Sequence, residues 1–66
     1  MRKRPKLTFS IILHLSEMYC EEYNERGLCL SPEQNEYLFR DYVWQYYSTL
    51  CWKGIEVKPT IDLSLI

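Results

Sequence analysis

Residues 55–65 alternate between apolar and polar side chains, and this is the clearest pattern in the chain. Pro59 takes one position of the apolar series, and aliphatic residues take the others: Ile55, Val57, Ile61, Leu63 and Leu65. A period of two is typical of a strand with one buried and one solvated face. Because strand N–H and C=O groups need partners, we expect this segment to pair with another strand of the chain, a second copy or a different protein.

Residues 7–15 show a similar alternation, broken only by Ile12. The apolar members of the series are Leu7, Phe9, Ile11, Leu13 and Leu15. If residues 8–23 were a helix, its apolar arc would span about 220°, which is wider than the stripe of an ordinary surface helix. Thr, Phe and Ile also favour extended structure. The pattern therefore predicts a strand over residues 7–15.

Two helices are predicted between these strands. The first spans residues 17–26, with Ser16 as its N-cap and Gly27 as the left-handed residue that ends it. The second spans residues 32–52 after the N-cap Ser31. Its inward face is a continuous apolar stripe made by Leu38, Phe39, Tyr42, Val43, Tyr46 and Leu50.

The predicted fold class is therefore α+β, a small strand–helix–helix–strand domain in which a helical hairpin packs on a minimal sheet. Residues 7–66 form this single domain, and residues 1–6 form a flexible basic arm. A chain of 66 residues buries only about 60 % of its unfolded surface, so we expect a homodimer. The alternative is an all-α helical hairpin that pairs into a dimeric four-helix bundle.

Charge is unevenly distributed along the chain. The net charge is −1, yet four basic residues fall in the first six positions: Arg2, Lys3, Arg4 and Lys6. Residues 7–66 carry four basic and nine acidic residues. The body of the domain should therefore not attract nucleic acid, and only the arm offers a possible DNA contact.

The order of strand, short helix, turn and capped helix over residues 6–50 resembles the ribbon-helix-helix repressors. That resemblance implies a dimeric DNA-binding transcriptional regulator whose paired N-terminal strands enter the major groove. Thr8, Ser10 and Ile12 would then face the bases, and the basic arm would lie near phosphates. The C-terminal strand is an addition to this layout.

No residue pattern supports catalysis, so we expect no enzyme, no cofactor and no metal site. The single histidine, His14, lacks a positioned nucleophile, and the two glycines read as helix ends. Cys20, Cys29 and Cys51 are odd in number and are expected to be buried free thiols. No cleavage site follows the short apolar run near the N-terminus, which favours a cytoplasmic chain without a membrane partner.

Aromatic residues favour protein–protein interaction as the function. Trp44 lies roughly 150° from the centre of the apolar stripe of the second helix, so it should point away from the core. Tyr37 and Trp52 supply further aromatic anchors, and the C-terminal strand offers an edge that includes Val57 and Ile61. The sequence therefore predicts a small non-enzymatic regulator, inhibitor or adaptor, and DNA binding is the alternative.

Overall fold

Two antiparallel helices and a C-terminal segment that packs back on them make up the fold. The computed structural model describes residues 6–66. Helix α1 spans Phe9–Glu25, helix α2 spans Pro32–Lys53, and a single 3-10 turn spans Leu63–Leu65. Residues 6–66 contain no strand, so the α+β prediction is wrong. The helical hairpin named as the alternative is the architecture observed.

Helix α1 begins in the segment that was predicted to be a strand. Thr8 is its N-cap, and the Thr8 hydroxyl accepts a hydrogen bond from the Ile11 N–H at 3.3 Å. The predicted cap, Ser16, lies inside the helix. Residues two apart on a helix are separated by 200°, so the alternating apolar positions spread around α1 instead of lining one face. Leu15 is consequently buried, while Phe9 and Leu13 are exposed.

The end of α1 agrees with the sequence prediction. Gly27 has φ +63°, the left-handed conformation expected after a helix. The Leu28 N–H donates to the Tyr23 carbonyl at 3.1 Å, and the Gly27 N–H donates to the Asn24 carbonyl at 3.1 Å. These two bonds form a Schellman motif, which turns the chain sharply toward α2.

Helix α2 has well-defined signals at both ends. The Ser31 hydroxyl accepts from the Gln34 N–H, and the Gln34 side chain accepts from the Ser31 N–H, both at 3.2 Å. This reciprocal capping box is joined by Pro32 in the first turn. Gly54, at φ +67°, ends the helix. The predicted start and end of α2 are therefore confirmed to within one residue.

The core lies between the facing sides of the hairpin. Its buried members are Leu15, Tyr19, Leu38, Tyr42, Tyr46 and Ile61. The Tyr19 ring meets the edges of the Phe39 and Tyr42 rings, with centroids 5.3 and 5.5 Å away. The Tyr19 hydroxyl also donates to the Asn35 side-chain oxygen, which ties α1 to the start of α2. The predicted inward stripe of α2 is confirmed.

The C-terminal segment, residues 55–66, does not pair with a strand as its alternation predicted. It leaves α2 at Gly54 and returns along the hairpin, so that only Pro59 and Ile61 of the segment are buried. The main-chain groups of Thr60 and Ile61 are satisfied by side chains of both helices. The requirement for backbone partners was therefore real, but side chains and not a second strand fulfil it.

Candidate protein-interaction surface

Tyr37 and Trp44 form an exposed aromatic surface on α2. These residues are seven positions apart, almost two full turns, so they lie on the same face of the helix. Tyr37 is 55 % exposed and Trp44 is 64 % exposed. Together with Arg40 and Asp41 they line a shallow depression. We call these four residues the aromatic face.

The aromatic face points outward because the opposite side of α2 already fills the core. Leu38, Tyr42 and Tyr46 pack toward α1 and Ile61, which turns Trp44 to solvent. The outward orientation predicted for Trp44 is confirmed. Next to the depression, the Arg40 guanidinium contacts the Glu36 carboxylate at 3.1 Å. This exposed ion pair is worth little for stability, but it orients the Arg40 side chain at the edge of the face.

The other predicted partner-binding residues lie elsewhere. Trp52 is 82 % exposed, but it follows Trp44 by eight residues and is therefore about 80° around the helix and about 12 Å along it. Val57 is exposed on the chain that leaves α2. Ile61 is only 3 % exposed and belongs to the core, so a partner cannot reach its side chain while the segment is docked.

Two residues that sequence analysis did not assign to a site lie beside Tyr37. Leu65 and Ile66 line a second depression with Tyr37, Glu33 and Gln34. This contact extends the apolar surface around Tyr37 toward the start of α2. No local signal in the sequence could place the last residues there, because the placement depends on the return path of the C-terminal segment.

A second feature is the groove that holds Thr60 and Ile61, which we call the C-terminal groove. On the α2 side, the Gln45 Nε2 donates to the Thr60 carbonyl at 2.9 Å, and the Gln45 Oε1 accepts from the Thr60 N–H at 3.2 Å. The Gln45 Nε2 also donates to the Asp41 Oδ2 at 2.8 Å, which fixes the orientation of the amide.

On the α1 side, two charged residues bind the main-chain groups of the next residue, Ile61. The Glu22 Oε2 accepts from the Ile61 N–H at 2.6 Å, and the Arg26 guanidinium donates to the Ile61 carbonyl at 2.8 Å. Sequence analysis could identify Glu22 and Arg26 only as an i,i+4 pair on a helix surface. Their use on main-chain atoms 35 and 39 residues away has no local signal.

Two buried tyrosines next to the C-terminal groove have raised pKa values. Burial, followed by the nearby carboxylates of Glu22 and Glu21, raises the pKa of Tyr42. Burial and the Glu56 carboxylate raise the pKa of Tyr46. Both phenols therefore stay protonated at neutral pH and act as neutral polar groups in the core.

Within residues 6–66, the residues expected to contact DNA do not form a strand ribbon. Arg2, Lys3 and Arg4 lie outside the described residues. Lys6 is exposed, Thr8 caps α1, and Ser10 is in the first turn of α1. A helix replaces the predicted strand, so the prediction of a paired N-terminal ribbon, as in the ribbon-helix-helix layout, is wrong. Ile12 likewise lies on a helix and not on a groove-facing strand.

Cysteines and acidic residues do not converge on a metal-binding geometry in the described part of the chain. Cys20 and Cys29 are exposed and Cys51 is half-buried, so the prediction that all three thiols are buried is wrong. Residues 6–66 bring no three His, Cys, Asp or Glu side chains together as possible metal ligands. Neither described helix is long and apolar enough to cross a membrane.

Comparison with known proteins gives no relatives from which a role could be transferred. No protein-family model matches the chain, and no curated protein or solved structure is significantly similar to it.

Proposed function

We propose that this chain is a small non-enzymatic regulator or adaptor that binds another protein through the aromatic face of α2. One observation carries the proposal. The shallow depression presents a Tyr, an Arg and a Trp together, and these are the three residue types most enriched among the side chains that dominate binding energy at interfaces.

The arrangement has the layout of a small interface centre. The rings of Tyr37 and Trp44 supply apolar area with few rotatable bonds, while Arg40 and Asp41, one helical turn from each ring, supply polar groups. Such a surface fits a protein with an apolar centre and a polar rim. Leu65 and Ile66 extend the apolar area beside Tyr37.

The direct test is site-specific photocrosslinking in the cells that make the protein. A photoreactive phenylalanine is placed at position 44 in one variant and at position 52 in another. Both positions are exposed tryptophans on α2, so the pair is matched in residue type, helix and accessibility. We expect one adduct of defined mass from position 44 and none from position 52.

Two additional variants make the test specific. Tyr37→Ala or Arg40→Ala, added to the chain that carries the crosslinker at position 44, should abolish the adduct while the helical circular dichroism is unchanged. Adducts of equal yield from both positions, or an adduct that survives both substitutions, would refute the aromatic face as the binding surface.

A further inference from the structure

The C-terminal groove binds main-chain atoms of Thr60 and Ile61 and buries the Ile61 side chain in the core. Four hydrogen bonds to the N–H and C=O groups of Thr60 and Ile61 hold these two residues in the groove. Each of these two residues is held by one donor and one acceptor, as a residue of an extended strand is held by a neighbouring strand. The groove therefore accepts an extended peptide, and Ile61 supplies the buried side chain.

The segment is attached to the hairpin by a short exposed connection. Residues 54–58 are exposed, and Gly54 adopts φ +67°. Within the connection the Glu56 carboxylate interacts with the Tyr46 hydroxyl, and the main-chain hydrogen bonds to the groove begin at Thr60. A rotation around Gly54 could therefore release the segment without disturbing either helix.

The docked segment leaves most of its apolar side chains in solvent. Ile61 and Pro59 are buried, whereas five large aliphatic residues remain exposed: Ile55, Val57, Leu63, Leu65 and Ile66. The connection itself contributes two of these residues. Docking within one chain thus gives the segment its main-chain hydrogen bonds but leaves most of its apolar side chains exposed.

We propose that the C-terminal groove also takes residues 59–61 of a second copy, so that two chains exchange their C-terminal segments and form a dimer. The second copy is the occupant because its segment reproduces the four main-chain bonds and the buried isoleucine without alteration. In the exchanged dimer we expect the two connections to lie side by side, so that Ile55 and Val57, which are exposed in the single chain, cover one another. Exchanging an identical element is a low-cost route to a dimer.

Exchange makes an unusual thermodynamic prediction. The contacts inside the groove are the same in the monomer and in the dimer, so weakening them leaves the monomer–dimer equilibrium unchanged. It accelerates exchange instead, because the segment must leave its own groove first. We expect Gln45→Ala, which removes two hydrogen bonds to Thr60, to speed subunit exchange about ten- to thirty-fold. The dissociation constant should stay within about twofold, because the lost bonds cancel.

Substitutions in the exposed connection should instead change the dissociation constant. Ile55→Ser combined with Val57→Ser leaves the groove intact and removes apolar surface that only the dimer covers. We expect this variant to raise the dissociation constant about tenfold. Trp44→Ala should leave the dimer unchanged, because Trp44 makes none of the four main-chain hydrogen bonds that hold the exchanged residues. The dimer and the proposed partner-binding function can therefore fail independently.

The deciding experiment uses the unaltered chain. Protein labelled with 13C at the isoleucine methyl groups is mixed with unlabelled protein, equilibrated at high concentration and examined by isotope-filtered NMR, with mass measured by light scattering. A dimer with contacts between the labelled Ile61 methyl and unlabelled core rings is the expected result. A monomer at every concentration, or a dimer whose Ile61 contacts are all within one chain, would overturn the proposal. A dissociation constant that responds to Gln45→Ala and not to the change at Ile55 and Val57 would do the same.

Discussion

The side-chain amide of Gln45 binds both main-chain groups of Thr60, with the Nε2 2.9 Å from the Thr60 carbonyl and the Oε1 3.2 Å from the Thr60 N–H. One side chain of α2 thereby replaces a neighbouring strand at that residue. The amide is well suited to this task because it carries a donor and an acceptor at fixed separation.

Gln45→Glu should consequently destabilise the fold. The carboxylate keeps the bond from the Thr60 N–H, but it faces the Thr60 carbonyl and the Asp41 carboxylate without a proton to donate. We expect a loss of about 1–3 kcal/mol in the free energy of unfolding at neutral pH. The loss should shrink as the pH falls below about 4, where the new carboxyl group is protonated and donates again.

Gln34→Glu is the matched control for this change. The Gln34 side chain uses only its oxygen, which accepts from the Ser31 N–H at 3.2 Å. A carboxylate accepts equally well and is favoured near a helix N-terminus. Urea unfolding of both variants should therefore show a lower midpoint for Gln45→Glu alone. Equal midpoints would mean that the bonds to Thr60 do not stabilise the docked segment.

Two buried tyrosines of the core should respond in opposite ways to the loss of their hydroxyl groups. The Tyr42 hydroxyl is buried and has no hydrogen-bond partner among residues 6–66, whereas the Tyr19 hydroxyl donates to Asn35. Burying an unpaired hydroxyl is costly, and losing a paired one removes about 1 kcal/mol. We expect Tyr42→Phe to be neutral or stabilising by up to about 1 kcal/mol, and Tyr19→Phe to be destabilising by about 1 kcal/mol.

Thermal unfolding followed by circular dichroism is sufficient to compare these variants. Both substitutions replace a core tyrosine with phenylalanine, so the change in the transfer free energy of the side chain is the same for both. A greater loss of stability for Tyr42→Phe than for Tyr19→Phe would show that the Tyr42 hydroxyl has a partner, such as a bound water.

A leucine pair in α1 distinguishes the observed helix from the strand that the alternation predicted. Leu15 is 0 % exposed and Leu13 is 51 % exposed, although both belong to the same alternating series. Leu15→Ala should cost about 2–5 kcal/mol, because it leaves a cavity in the core. Leu13→Ala should change stability by less than about 0.5 kcal/mol. If the segment were a strand, the two leucines would share a face and the two losses would be similar.

The same series shows how far the sequence could predict this fold. The limits of α2 follow from local signals at Ser31, Pro32 and Gly54, and so they were predicted correctly. The series from Leu7 to Leu15 was ambiguous because the apolar arc of a helix there seemed too wide to bury. In the structure it is not fully buried: Phe9 and Leu13 stay in solvent.

The C-terminal segment was misjudged for a different reason. Its alternation indicated extended structure that needed backbone partners, and both points hold for Thr60 and Ile61. The partners are side chains that lie 15 to 39 residues away, and no periodicity can reveal such contacts. The aromatic face was easier to predict, because the position of Trp44 relative to the core stripe depends only on helix geometry.

Alkaline pH should destabilise the protein through its buried tyrosines. Burial is the first cause that raises the pKa of Tyr19, Tyr42 and Tyr46 above the ordinary value of about 10. The folded state then holds these phenol protons more tightly than the unfolded chain does. Their contribution is fully present below about pH 10 and is lost as the pH rises through the raised values.

We therefore expect the urea midpoint to fall as the pH increases above about 10. Tyrosinate absorbance at 295 nm should rise in a step that coincides with the loss of helical circular dichroism. Tyr42→Phe removes one of the three phenols with a raised pKa, so the urea midpoint should fall less steeply as the pH rises. Glu56→Gln removes a carboxylate that raises the pKa of Tyr46, and it should flatten the fall as well. A midpoint with the same pH dependence in the parent chain and in both variants would show that ionisation of these phenols does not drive alkaline unfolding.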